Sequence, residues 1–318
     1  MRILLPLFAI LSPALPAQNI PAANLVTSDI DNFWRAYDAG QPGRRAEAFQ
    51  KLYFDVASPG LKDFIASRIT SAEELAKTVD EAPKFYASIR KTTNQVAAQR
   101  DSILRDLARF QELYPEARFP TVYFLIGRLT SGGTTGPSGL LIGTEVNALG
   151  DVVDTTELQQ TRASFLRAMG TIDHLPLIVV HELVHSQQKF RGGNNLLNQS
   201  MKEGAADFVT DMVANSTINA YARDWAEAHH DGLFQQFARD WAAAPARTSG
   251  WLYNYDQVKG DQPADLGYWI GAEICRSYYE RAADKNAAFA TIVRMENPEA
   301  IVKGSSYAWI LESRTGPN

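Results

Sequence analysis

One cysteine, Cys275, is present in the 318 residues, so no intramolecular disulfide can form and the fold must rest on its core. Cys275 stands among Ala272, Ile274 and Tyr278, a setting for a buried thiol rather than a reactive one. Histidine is scarce too, with five in all, which makes any patterned pair informative. Clusters of Lys and Arg are missing. The 31 basic residues are outnumbered by 36 acidic ones, which removes the electrostatic basis for binding nucleic acid or an anionic membrane. Beyond the first residues no apolar run approaches bilayer-spanning length. No Gly-x-Ser-x-Gly elbow supports a serine nucleophile. The stretch SGGTTGPSG at 131–139 lacks the terminal Gly-Lys-Ser/Thr of a phosphate loop and reads as a turn-forming connection.

What is present is the composition of an ordinary globular protein, with 45% hydrophobic residues. Met1-Arg2, an apolar run over 3–15 and then Pro16-Ala17-Gln18 follow the order of a secretory signal peptide, expected over residues 1–17. No cysteine near this leader offers a lipid attachment point. The mature protein is therefore expected to be secreted or periplasmic, with no stable membrane insertion. Residues 18–116 show apolar side chains at three- and four-residue spacing and predict an N-terminal helical portion. At Pro120 the texture changes: TVYFLI at 121–126 and LLIGTEV at 140–146 predict two strands of a small sheet. Helical texture then returns over 158–169, 175–189, 201–215, 220–241, 264–281 and 287–294. The fold class is α+β and mostly helical, with residues 117–318 forming the chemically interesting part.

Residues 181–185 read His-Glu-Leu-Val-His and follow the apolar run Leu177-Ile178-Val179-Val180. A helix turns about 100° and rises about 1.5 Å per residue, so His181 and His185 lie one turn apart on one face and can grip one ion. Imidazole nitrogen and carboxylate oxygen suit Zn²⁺ in an open catalytic site. Burying such groups among valines without partners would cost several kcal/mol. Glu203, after the break at 191–195, is the candidate third ligand. Its competing role is a capping box with Ser200, whose spacing fits. Asp207, four residues on, shares the Glu203 face and is placed to orient a ligand histidine through its second ring nitrogen. His174, His229 and His230 have no such pattern and read as loop or surface residues.

HELVH followed by EGAADF resembles the gluzincins, the thermolysin and aminopeptidase N-type zinc enzymes. More closely, TVYFLIG, GLLIGTE, HELVHSQQ, EGAADFV and DLGYWIGAEI resemble a predicted zinc-dependent protease family, a domain of unknown function related to gliding-motility lipoprotein B. That resemblance spans about 120–307. It implies a gluzincin-like core with one Zn²⁺ on His181, His185 and Glu203. It also implies peptide-bond hydrolysis by a metal-activated water with Glu182 as general base. Gluzincins supply a Tyr or His beyond the third ligand to stabilise the transition state. Tyr268, in Gly267-Tyr268-Trp269-Ile270-Gly271, is the candidate here, with Tyr253 and Tyr255 as alternatives and a core tyrosine as the plainer reading. The expected partner is a peptide or protein substrate. Two rivals share the metal site: an accessory or binding protein with a structural or vestigial zinc, and an amidase acting on cell-wall peptides. The 140–146 strand is expected to border the cleft with free backbone groups. Glu145 on it is either a solvated edge-strand charge or a holder of the substrate amine.

Overall fold

The β-branched and aromatic run at 121–126 forms β2 (Val122–Leu125), with all four side chains buried. It is the second strand of a sheet that also contains β1 (Leu25–Val26), β3 (Gly133–Gly136) and β4 (Gly139–Gly143), in the order β1-β2-β4-β3. β1 and β2, and β2 and β4, run parallel; β3 turns back antiparallel on β4, with Gly133 opposite Ile142. These statements come from a computed structural model that describes residues 23–257 and 260–313. The expected signal segment, 1–17, lies outside them. The rest is mostly helical, so the α+β class holds.

The helices before Pro120 and the segment after it share buried side chains. Phe33, Tyr53, Phe64 and Tyr86 belong to the same core as Phe124, Val179 and Phe208. The Tyr53 hydroxyl donates to the Ile126 carbonyl at 2.8 Å, and that of Tyr86 to the Gly127 carbonyl at 2.9 Å. β1 itself comes from the N-terminal portion, so that portion supplies both an edge of the sheet and packing for its strands.

Three helices carry the metal cluster and its surroundings. The histidine helix, Leu175–Gln187, enters with Pro176 in its first turn, where a missing N–H costs nothing. The glutamate helix, Leu196–Ala214, is capped by the Asn195 side chain, which accepts from Asn198 N. It starts five residues before the expected Met201, so Ser200 lies inside it and no capping box with Glu203 forms. The tyrosine helix, Leu266–Arg281, crosses the glutamate helix backbone to backbone. A Cβ on Gly271 would come within 1.9 Å of the Ser200 carbonyl, and one on Gly204 within 2.3 Å of Gly271 C and Ala272 N. Glycine at both positions is what lets Tyr268 and Glu203 share one cleft. The helix expected over 220–241 is two, Ala220–Ala228 and His230–Ala243, separated at His229.

Two expectations about the sheet need correction. The glycine-rich stretch 131–139 contains β3, so it is more than a connection, and β3 forms the edge of the sheet opposite β1. β4 lies inside the sheet, flanked on both sides. Glu145, just past β4, is accordingly neither solvated nor on the cleft: it is 1% exposed. Its Oε1 accepts from Leu129 N at 3.1 Å, while Oε2 has no partner among the described residues. Burial pushes its carboxyl up to about 7, against the lowering effect of the Gly127 and Leu129 amides. The tyrosine hydroxyls of Tyr53 and Tyr86 are the neighbouring titratable groups.

Because the folded value lies above the unfolded one, this group stabilises the fold fully below about pH 4.5 and loses that contribution as pH rises to about 7. The loss is on the order of 3 kcal/mol. Glu145→Gln keeps the acceptor for Leu129 N and removes the charge. It should therefore gain stability over the wild type at pH 8 but not at pH 4.5, read by urea unfolding at both. A wild-type-to-variant difference that is constant with pH would contradict this assignment.

Candidate metal centre

The apolar run ahead of the motif buries the histidine helix on all sides from Leu175 to Val184, which brings His181 and Glu182 into the interior. One turn later His185 lies above His181, and the glutamate helix brings Glu203 across from both. His185 Nε2 is 3.0 Å from His181 Nε2 and 3.0 Å from Glu203 Oε2; His181 Nε2 is 3.5 Å from the same oxygen. The three side chains offer one ligand atom each, all within 4.8 Å of one another.

Hydrogen bonds at the far ring nitrogens decide what these Nε2 atoms are. His181 Nδ1 is 2.9 Å from Asp207 Oδ1, and a carboxylate only accepts, so Nδ1 carries the proton. Asp207 is held in turn by Asn219 Nδ2 on its other oxygen. For His185 the partner is Gln188 Oε1 at 3.0 Å. The Gln188 amide cannot be turned the other way, because its Nε2 donates to the Lys202 carbonyl at 2.8 Å. His185 Nδ1 is therefore also the donor. Both Nε2 atoms, in neutral rings, aim lone pairs at each other and at the Glu203 carboxylate.

Three acceptors converging at 3.0–3.5 Å repel unless positive charge lies among them. A tetrahedral ion with bonds of about 2.0–2.1 Å places neighbouring ligand atoms about 3.3 Å apart, and the spacing here fits that. The donor set, two imidazoles and one carboxylate, is one that Zn²⁺ takes in open sites. The electrostatics point the same way. Burial works against a charged His181, yet Asp207 and Glu203 outweigh it and push the imidazole up to about 10. Burial likewise opposes ionisation of Glu203, but His185 and His181 hold it well below the usual carboxylate range.

These groups line a cavity of about 440 Å³. Glu182 is in its wall, buried but not part of the ligand triad, and burial raises its carboxyl despite the two histidines. Gly133 of β3 lies directly on it: an added Cβ would meet Glu182 Oε1 at 2.6 Å. On the other side Tyr253 donates its hydroxyl to Glu203 Oε1 at 3.0 Å. The Tyr268 ring stands edge-on to that of Tyr253 at 6.1 Å and lies 6.2 Å from that of His181. The structure thus brings His181, Glu182, His185, Glu203, Asp207 and Tyr268 together.

Gln188 and Tyr253 were not assigned these contacts from the sequence. Gln188 follows the second histidine by three residues, and an amide at that spacing was the available signal. Tyr253 owes its place to a loop held at φ +56°, with Tyr253 N bonded to Asp265 Oδ1 and Asp265 N returning 2.8 Å to Asn254 Oδ1. Nothing local in the sequence announces that clamp. His174 also lines the cavity, its Nδ1 accepting from Thr171 N, whereas His229 stacks on Trp225 and His230 bonds to Tyr307, both apart from the cluster.

Purified protein should contain one zinc per chain. His181→Ala or Glu203→Ala should lose it, and Asp207→Asn should weaken affinity about 10- to 100-fold, measured by competition with a chelator. Stoichiometric zinc in the alanine variants would refute the ligand set.

A family model described as gliding motility protein GldB matches residues 17–308. The match begins well before Pro120 and so takes in the N-terminal helical portion, which the motif-based resemblance left outside. No curated protein and no solved structure matches the chain.

Proposed function

The chain belongs to the gliding motility protein GldB family, and for it we propose zinc-dependent hydrolysis of peptide bonds on a gluzincin-like core, with Glu182 as general base. The observation that carries this reading is the convergence of three metal-ligand atoms on the wall of an open cleft, with a further carboxylate, Glu182, free beside them. A structural zinc is closed by four protein ligands; here the described residues supply three and leave space. The arrangement therefore favours catalysis over the accessory-protein reading.

Zinc, when bound, supplies a Lewis acid that acidifies a water and polarises a carbonyl. Glu182 accepts the proton of that water on a carboxylate oxygen and passes it to the leaving amine. His181 and His185 are held in one tautomer by Asp207 and Gln188, so no reorientation is needed during turnover. β3 has no strand partner on its outer edge among the described residues. Its backbone groups lie beside Glu182, ready to pair with an extended peptide and present its carbonyl. Tyr253 commits its hydroxyl to Glu203, whereas Tyr268 lines the cavity with its ring packed edge-on against that of Tyr253, and we assign Tyr268 as the donor to the developing oxyanion. An amidase acting on cell-wall peptides would use the same residues.

The family description fits work at the cell envelope, and a secreted or periplasmic protein is our reading. No helix of the described residues is long and apolar enough to cross a membrane.

Cleavage-site mass spectrometry on a complex peptide mixture should show cuts that a chelator abolishes. Glu182→Gln should keep the metal and lose at least about 10²-fold in rate; near-normal cleavage by that variant would remove Glu182 from the mechanism. Tyr268→Phe should lower kcat by about 10²- to 10³-fold with zinc content unchanged. Normal turnover in Tyr268→Phe together with loss in Tyr253→Phe would transfer the role to Tyr253.

A further inference from the structure

We propose that Arg68 selects acidic substrates, receiving a carboxylate of the bound peptide one or two residues from the bond that is cut. This rests on the cleft being a peptide-binding site; its test requires no hydrolysis.

Arg68 lies on a single π-helical turn, Ile65–Ile69, far in sequence from the metal motif, yet it lines the same cavity as His181, Glu182 and His185. Such turns are frequent at functional sites. Its backbone is fixed to the cleft wall, because the Arg68 carbonyl accepts from Arg128 Nε at 3.2 Å and from Thr130 Oγ1 at 3.4 Å. The guanidinium reaches β3, donating from Nη2 to Thr134 Oγ1 at 3.1 Å. Its Nε is buried and has no hydrogen-bond partner among the described residues.

The neighbouring cations are already engaged. Arg128 pairs with Glu74 at 3.7 Å, and Lys202, the other basic chain lining the cavity, lies 3.6 Å from Glu203 Oε1. Arg68 makes no ion pair among the described residues. Among the acidic groups of the cleft, Glu203 and Asp207 are committed to the histidines and Asp265 to the Tyr253 loop, and Glu182, which lines the same cavity, makes no ion pair with Arg68. A guanidinium presents five N–H donors in a planar fork, and a carboxylate is the group that fills two of them in parallel. Nη1 makes no hydrogen bond among the described residues and, unlike Nε, is not shut off from the cavity, so a ligand that supplies an acceptor there is preferred.

Position along the substrate follows from β3. Thr134 is the residue after Gly133, which lies against Glu182. A peptide extended along that edge advances about 3.4 Å per residue, so a group held at Arg68 belongs one or two residues from the carbonyl beside Glu182. The carboxylate is either an Asp or Glu side chain or the peptide's own C-terminus.

The test uses the zinc-loaded Glu182→Gln protein and fluorescein-labelled octapeptide mixtures, randomised except at one position. That position carries Glu or Gln, and each mixture is made with a C-terminal amide or a free carboxylate; binding is read by fluorescence anisotropy. A Glu-containing or free-carboxylate mixture should bind about 10-fold tighter than its neutral counterpart. The preference identifies which carboxylate is read. Adding Arg68→Gln should erase it, and adding Arg68→Lys should keep part of it, at unchanged melting temperature. Should Arg68→Gln destabilise the fold, the comparison of Glu with Gln in the parent protein still decides. Equal affinity for all mixtures, no saturable binding of any, or an unchanged preference in a folded Arg68→Gln protein would overturn the proposal. Hydrolysis by the wild type is scored separately. Selective binding without hydrolysis refutes the hydrolytic reading and leaves Arg68 standing, and hydrolysis without selectivity does the reverse.

Discussion

The structure depends on one unfavourable encounter: His181 Nε2, His185 Nε2 and Glu203 Oε2 point at one another within 3.5 Å with no protein group between them. With both rings neutral, these atoms repel. Only a positive charge in their midst turns the arrangement into a stabilising one, and a proton bridges one pair whereas a metal ion satisfies all three. Everything behind the cluster keeps those atoms from turning away. Asp207 and Gln188 hold the outer ring nitrogens, Asn219 holds Asp207, and the Lys202 carbonyl holds Gln188.

That arrangement needs two helices at fixed separation and a third close by. The glycine contact of Gly204 with Gly271 brings the glutamate and tyrosine helices together with no side chain between them. The same economy appears at Gly133, where the missing Cβ lets the β3 edge of the sheet lie on Glu182. Small residues thus set the cleft's dimensions, while the large core residues Phe124, Phe208, Trp241 and Phe237 fix the elements around it. Glu145 is the cost of the sheet's end: a buried carboxyl that gathers the Leu129 amide and leaves one oxygen unmet.

Much of the cluster is legible in the sequence because its geometry is helical and local. The four-residue spacing of His181 and His185, and of Glu203 and Asp207, puts each pair on one face whatever the rest of the chain does. The break at 191–195 and the need for a further ligand then point to Glu203. What resists reading is set by distant contact. The 131–139 stretch has turn composition and still becomes β3, because β4 offers it a ladder; pairing overrides propensity there. Glu145 reads as an exposed strand charge until the 127–129 segment and the buried side chains of the N-terminal helices enclose it. Tyr253 reaches Glu203 only through the Asp265 clamp, and Arg68 enters the cleft from a segment more than a hundred residues before the motif. Helix limits shift by the capping residue: Asn195 starts the glutamate helix earlier than its apolar pattern does.

The central claim is that this cluster is a zinc site of mixed nitrogen and oxygen ligation. X-ray absorption at the zinc edge of the purified protein tests it most directly. The account predicts a first shell of two imidazole nitrogens and one or two oxygens at about 2.0–2.1 Å, with the outer-shell scattering of two histidine rings. No bound zinc, a shell containing sulfur, or a shell with a single histidine would contradict it.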